Sequence, residues 1–345
     1  MRLRAGRDSD AAGFIALIGG CWAEYPGCVM DLDGEVPELR ALASYYAQQG
    51  GALWAAERDG RITGMVAAKP LGDGAWELCK MYVDRAERGT GLAQSLVSAA
   101  EGHARAAGAT RMKLWSDTRF DRAHRFYEKH SYVRSGPIRV LGDLSNSLEF
   151  AYAKPLTGVA VEALDAASAQ SAIPRLAAVL RECVAAGASV SFIRPLDRNA
   201  AEAFWRRAAT AAALGERVVL AAWVDGVLSG TVMLDLDTPP NQPHRAAVQK
   251  LLVSPQARRR GVGRMLMQRA EQAARGLGRK LLTLDTREGD AAEPLYRAMG
   301  WNEAGRIPGF ALDADGTPRA TVFFWKKLTD QNEAQDRLVT SPTDS

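Results

Sequence analysis

No apolar run in the 345 residues approaches the roughly 18 needed for a membrane-spanning helix, so none is expected and no membrane partner is implied. The opening residues, Met1-Arg-Leu-Arg-Ala-Gly-Arg, lack the apolar stretch of a secretory signal, which points to a cytoplasmic chain. Cysteine is scarce. Cys21, Cys28, Cys79 and Cys183 stand far apart and have neither the density of a disulfide framework nor a metal-ligand spacing. They read as reduced packing thiols, and no metal is expected. Charge of one sign is also lacking: a net +4 favours anionic ligands slightly and does not argue for nucleic acid.

What is present is a repeat. An apolar share of 47% over this length suits two ordinary domains. Met81-Tyr-Val-Asp-Arg-Ala-Glu-Arg-Gly-Thr-Gly91-Leu-Ala-Gln-Ser-Leu-Val97 aligns without a gap on Leu251-Leu-Val-Ser-Pro-Gln-Ala-Arg-Arg-Arg-Gly261-Val-Gly-Arg-Met-Leu-Met267. In each, an apolar strand runs through a Gly-bearing turn into an amphipathic helix. Such a turn aims several amides at one spot, and the positive end of the helix faces the same spot. That is a site for a phosphate or diphosphate. Two copies in one context make the pattern specific where a single Gly-x-Gly is not.

The surrounding elements repeat too. Asp59-Gly60 and Asp225-Gly226 predict tight hairpin turns at the same place in each half. The helix after Gly91 carries Leu92, Leu96, Ala100, Ala104 and Ala107 on one face. Asn199 is expected to cap a helix over 199–213. Trp115-Ser-Asp-Thr-Arg119 echoes Thr283-Leu-Asp-Thr-Arg287, and Phe126-Tyr127 echoes Leu295-Tyr296. Alternating strands and helices on one duplicated plan predict two α/β domains, 1–156 and 157–328. Residues 329–345 read as a polar, disordered tail.

Arg88-Gly-Thr-Gly91-Leu-Ala93 and Arg258-Arg-Arg-Gly261-Val-Gly263 resemble the acetyl-coenzyme A motif, Arg/Gln-x-x-Gly-x-Gly/Ala, of the GNAT superfamily of N-acetyltransferases. The resemblance covers nearly the whole chain as two tandem domains. It implies that each is a mixed, curved sheet flanked by helices, whose middle parallel strands splay to admit acetyl-coenzyme A. It assigns cofactor binding to Met81, Tyr82, Val83, Arg88, Gly89, Thr90, Gly91, Leu92 and Ala93. In the second half the corresponding residues are Leu251, Leu252, Val253, Arg258, Arg259, Arg260, Gly261, Val262, Gly263 and Arg264. Tyr127 and Tyr296 match the tyrosine that protonates the departing thiolate, and Glu77 matches a common general base. A main-chain amide near Tyr82-Val83 or Leu252-Val253 is implied as the oxyanion donor.

The second half has Ala247 where the first has Glu77, with Asp235, Asp237 and His244 nearby in sequence. It carries His244-Arg-Ala-Ala-Val-Gln-Lys250 and Leu284-Asp-Thr-Arg-Glu288, which look like the tabtoxin-resistance type of this superfamily. The expected activity is therefore acetyl transfer to a primary amine of a small molecule, by direct attack. One half acting as a silent coenzyme-binding module, or a protein or peptide amine as acceptor, remain alternatives. Which half turns over and the oligomeric state stay open.

Overall fold

Asp59-Gly60 and Asp225-Gly226 each put two successive residues at positive φ, 50° with 77° and 49° with 85°. This is the two-residue hairpin geometry that matches strand twist. The computed structural model describes residues 1–328, so the expected tail lies outside the described residues. The chain divides into two units, Met1–Gly158 with Asp225–Val227, and Val159–Val224 with Leu228 onward.

The first unit contains β1 (Arg2–Ala5), α1 (Ala11–Trp22), α2 (Leu42–Gln48), β2 (Ala52–Arg58), β3 (Arg61–Gly72) and β4 (Ala75–Val83). It continues with α3 (Leu92–Ala106), β5 (Arg111–Asp117), α4 (Asp121–Lys129), β6 (Val133–Arg134), β7 (Arg139–Val140) and β8 (Leu148–Pro155). Its sheet runs β1-β2-β3-β4-β5-β8-β6, with β7 also on β8. β4 and β5 are its parallel pair. Alternation along β3 and β4 gives the sheet two apolar faces. Leu92, Leu96, Ala100 and Ala104 of α3 pack on one, against Val66, Leu78 and Met112. Phe14, Leu17 and Ile18 of α1 pack with Leu42 on the other, against Leu53 and Met65.

The second unit repeats the plan with β9 (Val159–Leu164), α5 (Ala166–Ala185), α6 (Arg198–Ala213), β10 (Arg217–Val224), β11 (Val227–Asp235) and β12 (Arg245–Val253). α7 (Val262–Gly276), β13 (Leu281–Arg287), α8 (Glu293–Ala298), β14 (Asn302–Leu312) and β15 (Pro318–Lys327) follow. Its sheet order is β9-β10-β11-β12-β13-β15-β14, with β12 and β13 parallel. The expected α/β class with two mixed sheets is what is observed.

Two local expectations need correction. Asn199 does not cap α6; Asp197 does, its carboxylate accepting from the Ala200 amide at 2.9 Å. Ala107 is the exposed C-terminal cap of α3 and takes no part in the packed face.

Each unit also buries the same ionic brace. Lys154 of β8 meets Glu101 of α3 at 2.7 Å and donates to the carbonyl of His130, just past α4, at 3.2 Å. Tyr132 donates to the same carboxylate at 2.8 Å. In the second unit Lys326 of β15 meets Glu271 of α7 at 2.7 Å and the carbonyl of Met299, just past α8, at 2.7 Å, while Trp301 Nε1 donates to Glu271 at 3.3 Å. A lysine on the last long strand thus ties the helix after the Gly turn to the short helix that carries the candidate tyrosine.

Candidate functional site

Strand pairing between β4 and β5 covers only Ala75–Glu77 against Arg111–Lys113. β4 then runs on to Val83 and β5 to Asp117 with no ladder between them. Six further residues on β4 leave an edge of roughly 20 Å whose amides and carbonyls lack a strand partner. The second unit does the same: β12 pairs with β13 only over Arg245–Ala247 and Leu281–Thr283.

A bulge aims each parted strand. The register of β3 on β4 shifts between Met65 and Ala67, so Lys80 and Met81 share one partner position; Lys80 sits at φ 47°. The register of β11 on β12 shifts between Thr231 and Met233, and Lys250 sits at φ 53°. A lysine in the left-handed region is strained, and finding it twice at one structural position marks a built feature.

The Gly turns follow. Gly89 and Gly91 lie at φ 80° and 91°, and Arg259 and Gly261 at 60° and 79°. The helix caps Gly91 and Gly261 have no side-chain cap bond, so the first amides of α3 and α7 are left to another acceptor. With the free strand edge beside them, these amides fit the diphosphate and the amide-bearing arm of a coenzyme A. Arg258, Arg259, Arg260 and Arg264 are exposed at the second turn.

In the first unit the turn's arginine is already engaged. Glu24, just past α1, takes Arg88 in a two-pronged bond at 2.7 and 2.5 Å and also Arg122 of α4 at 3.3 Å. It holds Arg88 where an anionic ligand would compete for it. A second device recurs in both units: Cys21 donates its thiol to the Val83 carbonyl at 3.6 Å, and Cys183 to that of Val253 at 3.3 Å. Burial pushes both thiols up, Cys183 to about 11, which keeps them protonated as donors.

A cavity of about 410 Å³ opens between the parted strands of the first unit. Met81, Tyr82 and Val83 line it from β4, Trp115, Ser116 and Asp117 from β5, Arg88 and Gly89 from the turn, and Tyr127 from α4. Tyr127 is 5% exposed, and burial raises its phenol well above the ordinary value of 10, with Tyr82 and Tyr152 adding to the effect. Tyr296 is equally buried and raised, first by burial and then by Asp290 and Asp285. Each phenol therefore holds its proton through the neutral range.

Glu77 is not among the residues lining the cavity. It occupies the last paired position before the strands part, with its carboxylate 3.6 Å from Lys69. The carboxylates that do line the cavity are Glu87, Asp117 and Glu149, each ion-paired, to Arg58, Arg119 and Arg139. In the second unit Asp235 is held by Arg217 at 3.1 Å and Gln249 at 3.0 Å, and His244 is exposed. Sequence reading missed Trp22, Tyr25, Lys80, Trp115 and Phe120, which also line the cavity. The two lysines in register were a visible signal; the aromatic residues, drawn from three separate stretches, had none.

His124 of α4 is buried beneath the site, its Nε2 2.9 Å from the Asp117 carbonyl. Burial pulls its pKa below the ordinary 6.5, against the smaller opposing effect of that hydrogen bond. The folded state therefore resists the proton that the unfolded chain accepts, so stability is full above about pH 6.5 and declines as the pH falls below it. A melting temperature followed from about pH 8 to about pH 5 is expected to drop below pH 6.5, and less so in His124→Gln. A flat wild-type profile would contradict this.

No helix among the described residues is long and apolar enough to cross a membrane, and no cluster of three or more potential metal ligands occurs among them. The model of the acetyltransferase (GNAT) family matches residues 21–132 and 184–301. An uncharacterized N-acetyltransferase of Azospirillum brasilense is 29% identical over 157 residues, 44% of this chain and 91% of the relative. Among solved structures, one from Salmonella typhimurium, described as an acetyltransferase with its cofactor acetyl-CoA, is 18% identical with a TM-score of 0.43, covering 51% of this chain and 96% of its own. A ribosomal-protein-alanine N-acetyltransferase of Brucella melitensis is 20% identical with a TM-score of 0.42, over 49% of this chain and 99% of its own.

Proposed function

Because the chain belongs to the GNAT family of acetyltransferases, we propose that its first unit transfers acetyl from acetyl-coenzyme A to the primary amine of a small molecule, by direct attack in a ternary complex. The observation that carries this reading is one cavity bounded at once by the Gly turn, both parted strands and Tyr127. In this reading its volume of about 410 Å³ is shared between the acetyl-bearing end of the coenzyme and the acceptor, which favours a small acceptor.

In this reading acetyl-coenzyme A supplies the activated acetyl thioester. The amides from Gly89 to Ala93 hold its diphosphate, and the free edge of Met81–Val83 holds its pantetheine arm. A β4 amide at that edge donates to the carbonyl oxygen as negative charge develops there. An alkylamine has a pKa of about 10, so it must lose a proton before it attacks. We assign that proton to Glu77, reached through water. The C–N bond forms, the C–S bond breaks, and Tyr127 donates its proton to the departing sulfur. A phenol pushed up by burial is matched to a thiolate whose basicity the same dry site raises. We place the reaction in the cytoplasm, in keeping with four free thiols.

For the second unit we infer coenzyme binding without comparable turnover. Leu251–Val253 and the turn from Arg258 to Arg264 repeat the coenzyme-holding parts. Ala247 stands where the first unit has Glu77. The experiment is coenzyme A release by the full chain with a panel of amines. Saturable release is expected with at least one amine. Glu77→Gln is expected to lower the rate about 100-fold or more near pH 7. No release with any amine would sink the reading, and an unchanged rate in Glu77→Gln would remove that residue as the base.

A further inference from the structure

The two units hold most of their coenzyme-facing parts in common: the Gly turn, the bulged lysine, the thiol on the strand-end carbonyl and the buried tyrosine. What they do not share is the remainder of the first unit's cavity wall. Seven of its 21 lining residues are aromatic, against 7% of the whole chain, so the wall is built from rings.

The aromatic residues can be compared position by position. The thiols of Cys21 and Cys183 make the same bond and set a common register for the ends of α1 and α5. In that register Trp22 and Tyr25 correspond to Val184 and Gly187. On the strands and the turn after them, Tyr82, Trp115 and Phe120 correspond to Leu252, Thr283 and Glu288. None of these five positions carries a ring in the second unit, where the rings by Lys250, Phe204 and its neighbour Phe192, come from other positions. A fold requirement or a coenzyme requirement would act on both units alike. A difference confined to one points to what only that unit takes.

The rings are held as a wall. Trp22 Nε1 donates to the Tyr82 hydroxyl at 2.9 Å. The Tyr25 and Phe120 rings lie 4.7 Å apart, and the Arg139 guanidinium sits over Trp115 at 4.2 Å. The cations lining the cavity are committed: Lys80 to Glu38 at 3.1 Å, and both Arg88 and Arg122 to Glu24. A ligand carboxylate would have to break one of these pairs.

We propose that this cavity takes an arylalkylamine: a primary amine on a flat aromatic body, with no carboxylate. The proposal rests on the acetyl-transfer reading for the role of the amine, and on the cavity alone for the aromatic body. Ring stacking and apolar burial supply the affinity, and the alkyl spacer lets the amine reach the parted strands.

The test measures two things on the full chain in the presence of coenzyme A or acetyl-coenzyme A. Equilibrium binding is followed with 2-phenylethylamine, n-butylamine and phenylalanine, and coenzyme A release with the same three. Burying one ring is expected to make 2-phenylethylamine bind about 10-fold or more tightly than n-butylamine, with phenylalanine weaker than 2-phenylethylamine. Trp115→Thr, which installs the second unit's residue, is expected to reduce that discrimination to about 3-fold or less. Trp115→Phe, which keeps a ring, is expected to preserve it. Equal binding of the three amines, or discrimination untouched in Trp115→Thr, would overturn the aromatic class even if transfer occurs. Discrimination in binding without coenzyme A release would overturn acetyl transfer and leave the aromatic class standing.

Discussion

Tyr127→Phe is expected to lower kcat by about 100- to 10,000-fold while leaving acetyl-coenzyme A affinity nearly unchanged. The ring stays, so packing against Tyr132 and Tyr152, with centroids 5.7 and 6.0 Å away, is retained. Only the proton donor goes. Burial holds the wild-type phenol above its ordinary range, so no alkaline loss of activity below about pH 10 should trace to it. Tyr296→Phe removes an equally buried phenol from the second unit, where Ala247 leaves no carboxylate at the position of Glu77. Its effect on turnover is expected to be under about 3-fold, far below the loss of a general acid. Steady-state coenzyme A release by the two single variants decides the matter. Equal losses would mean that both units turn over, and no loss in Tyr127→Phe would remove the tyrosine from the reaction.

The second large effect concerns stability. Lys154→Met is expected to cost about 1–3 kcal/mol in the first unit, because it leaves the buried Glu101 carboxylate with only the Tyr132 hydroxyl and the partly exposed Arg105, 3.1 Å away. The two side chains are 7% and 6% exposed, so water cannot replace the lost partner. The tie from β8 to the carbonyl of His130 goes as well, which loosens the end of α4 three residues beyond Tyr127. Lys154→Met combined with Glu101→Leu exchanges the pair for apolar volume and is expected to recover part of the loss, the remainder lying in the buried Tyr132 hydroxyl that then lacks its acceptor. Denaturant unfolding of the single and double variants measures both. A single variant as stable as wild type would mean that the brace contributes nothing, and a double variant worse than the single would mean that the lysine acts elsewhere. Lys326 and Glu271 provide an independent repeat of the experiment.

Much of the plan was legible because its signals are local. Asp59-Gly60 and Asp225-Gly226 specify their turns through positive φ, and the Gly turns announce the helices that follow. Periodicity located α3 and α7. The capping of α6 was misread because Asp197 and Asn199 are both good caps, and only the chain's path selects the carboxylate that reaches Ala200. β14 carried no clean alternation: most of its residues are exposed, so no apolar face marks it. The site was half legible. Its turn and its tyrosines sit in short motifs. Its wall is assembled from α1, β4, β5 and the start of α4, residues up to about a hundred positions apart, and nothing in a linear pattern joins Tyr25 to Phe120. The grip of Glu24 on Arg88 is likewise a tertiary fact, 64 residues apart.

The account depends on each sheet parting beside its own ring of free amides. Calorimetric titration of the full chain with acetyl-coenzyme A tests that most directly. The prediction is saturable binding at two sites per chain. The tighter site should belong to the second unit, whose turn carries Arg258, Arg259, Arg260 and Arg264, and the weaker to the first, where Glu24 must yield Arg88. Gly261→Asp should abolish the tighter site, in the second unit, and Gly91→Asp the weaker, in the first, since each puts a side chain and a negative charge at a left-handed helix cap. Absence of binding, or binding undiminished when both glycines are replaced, would contradict the account.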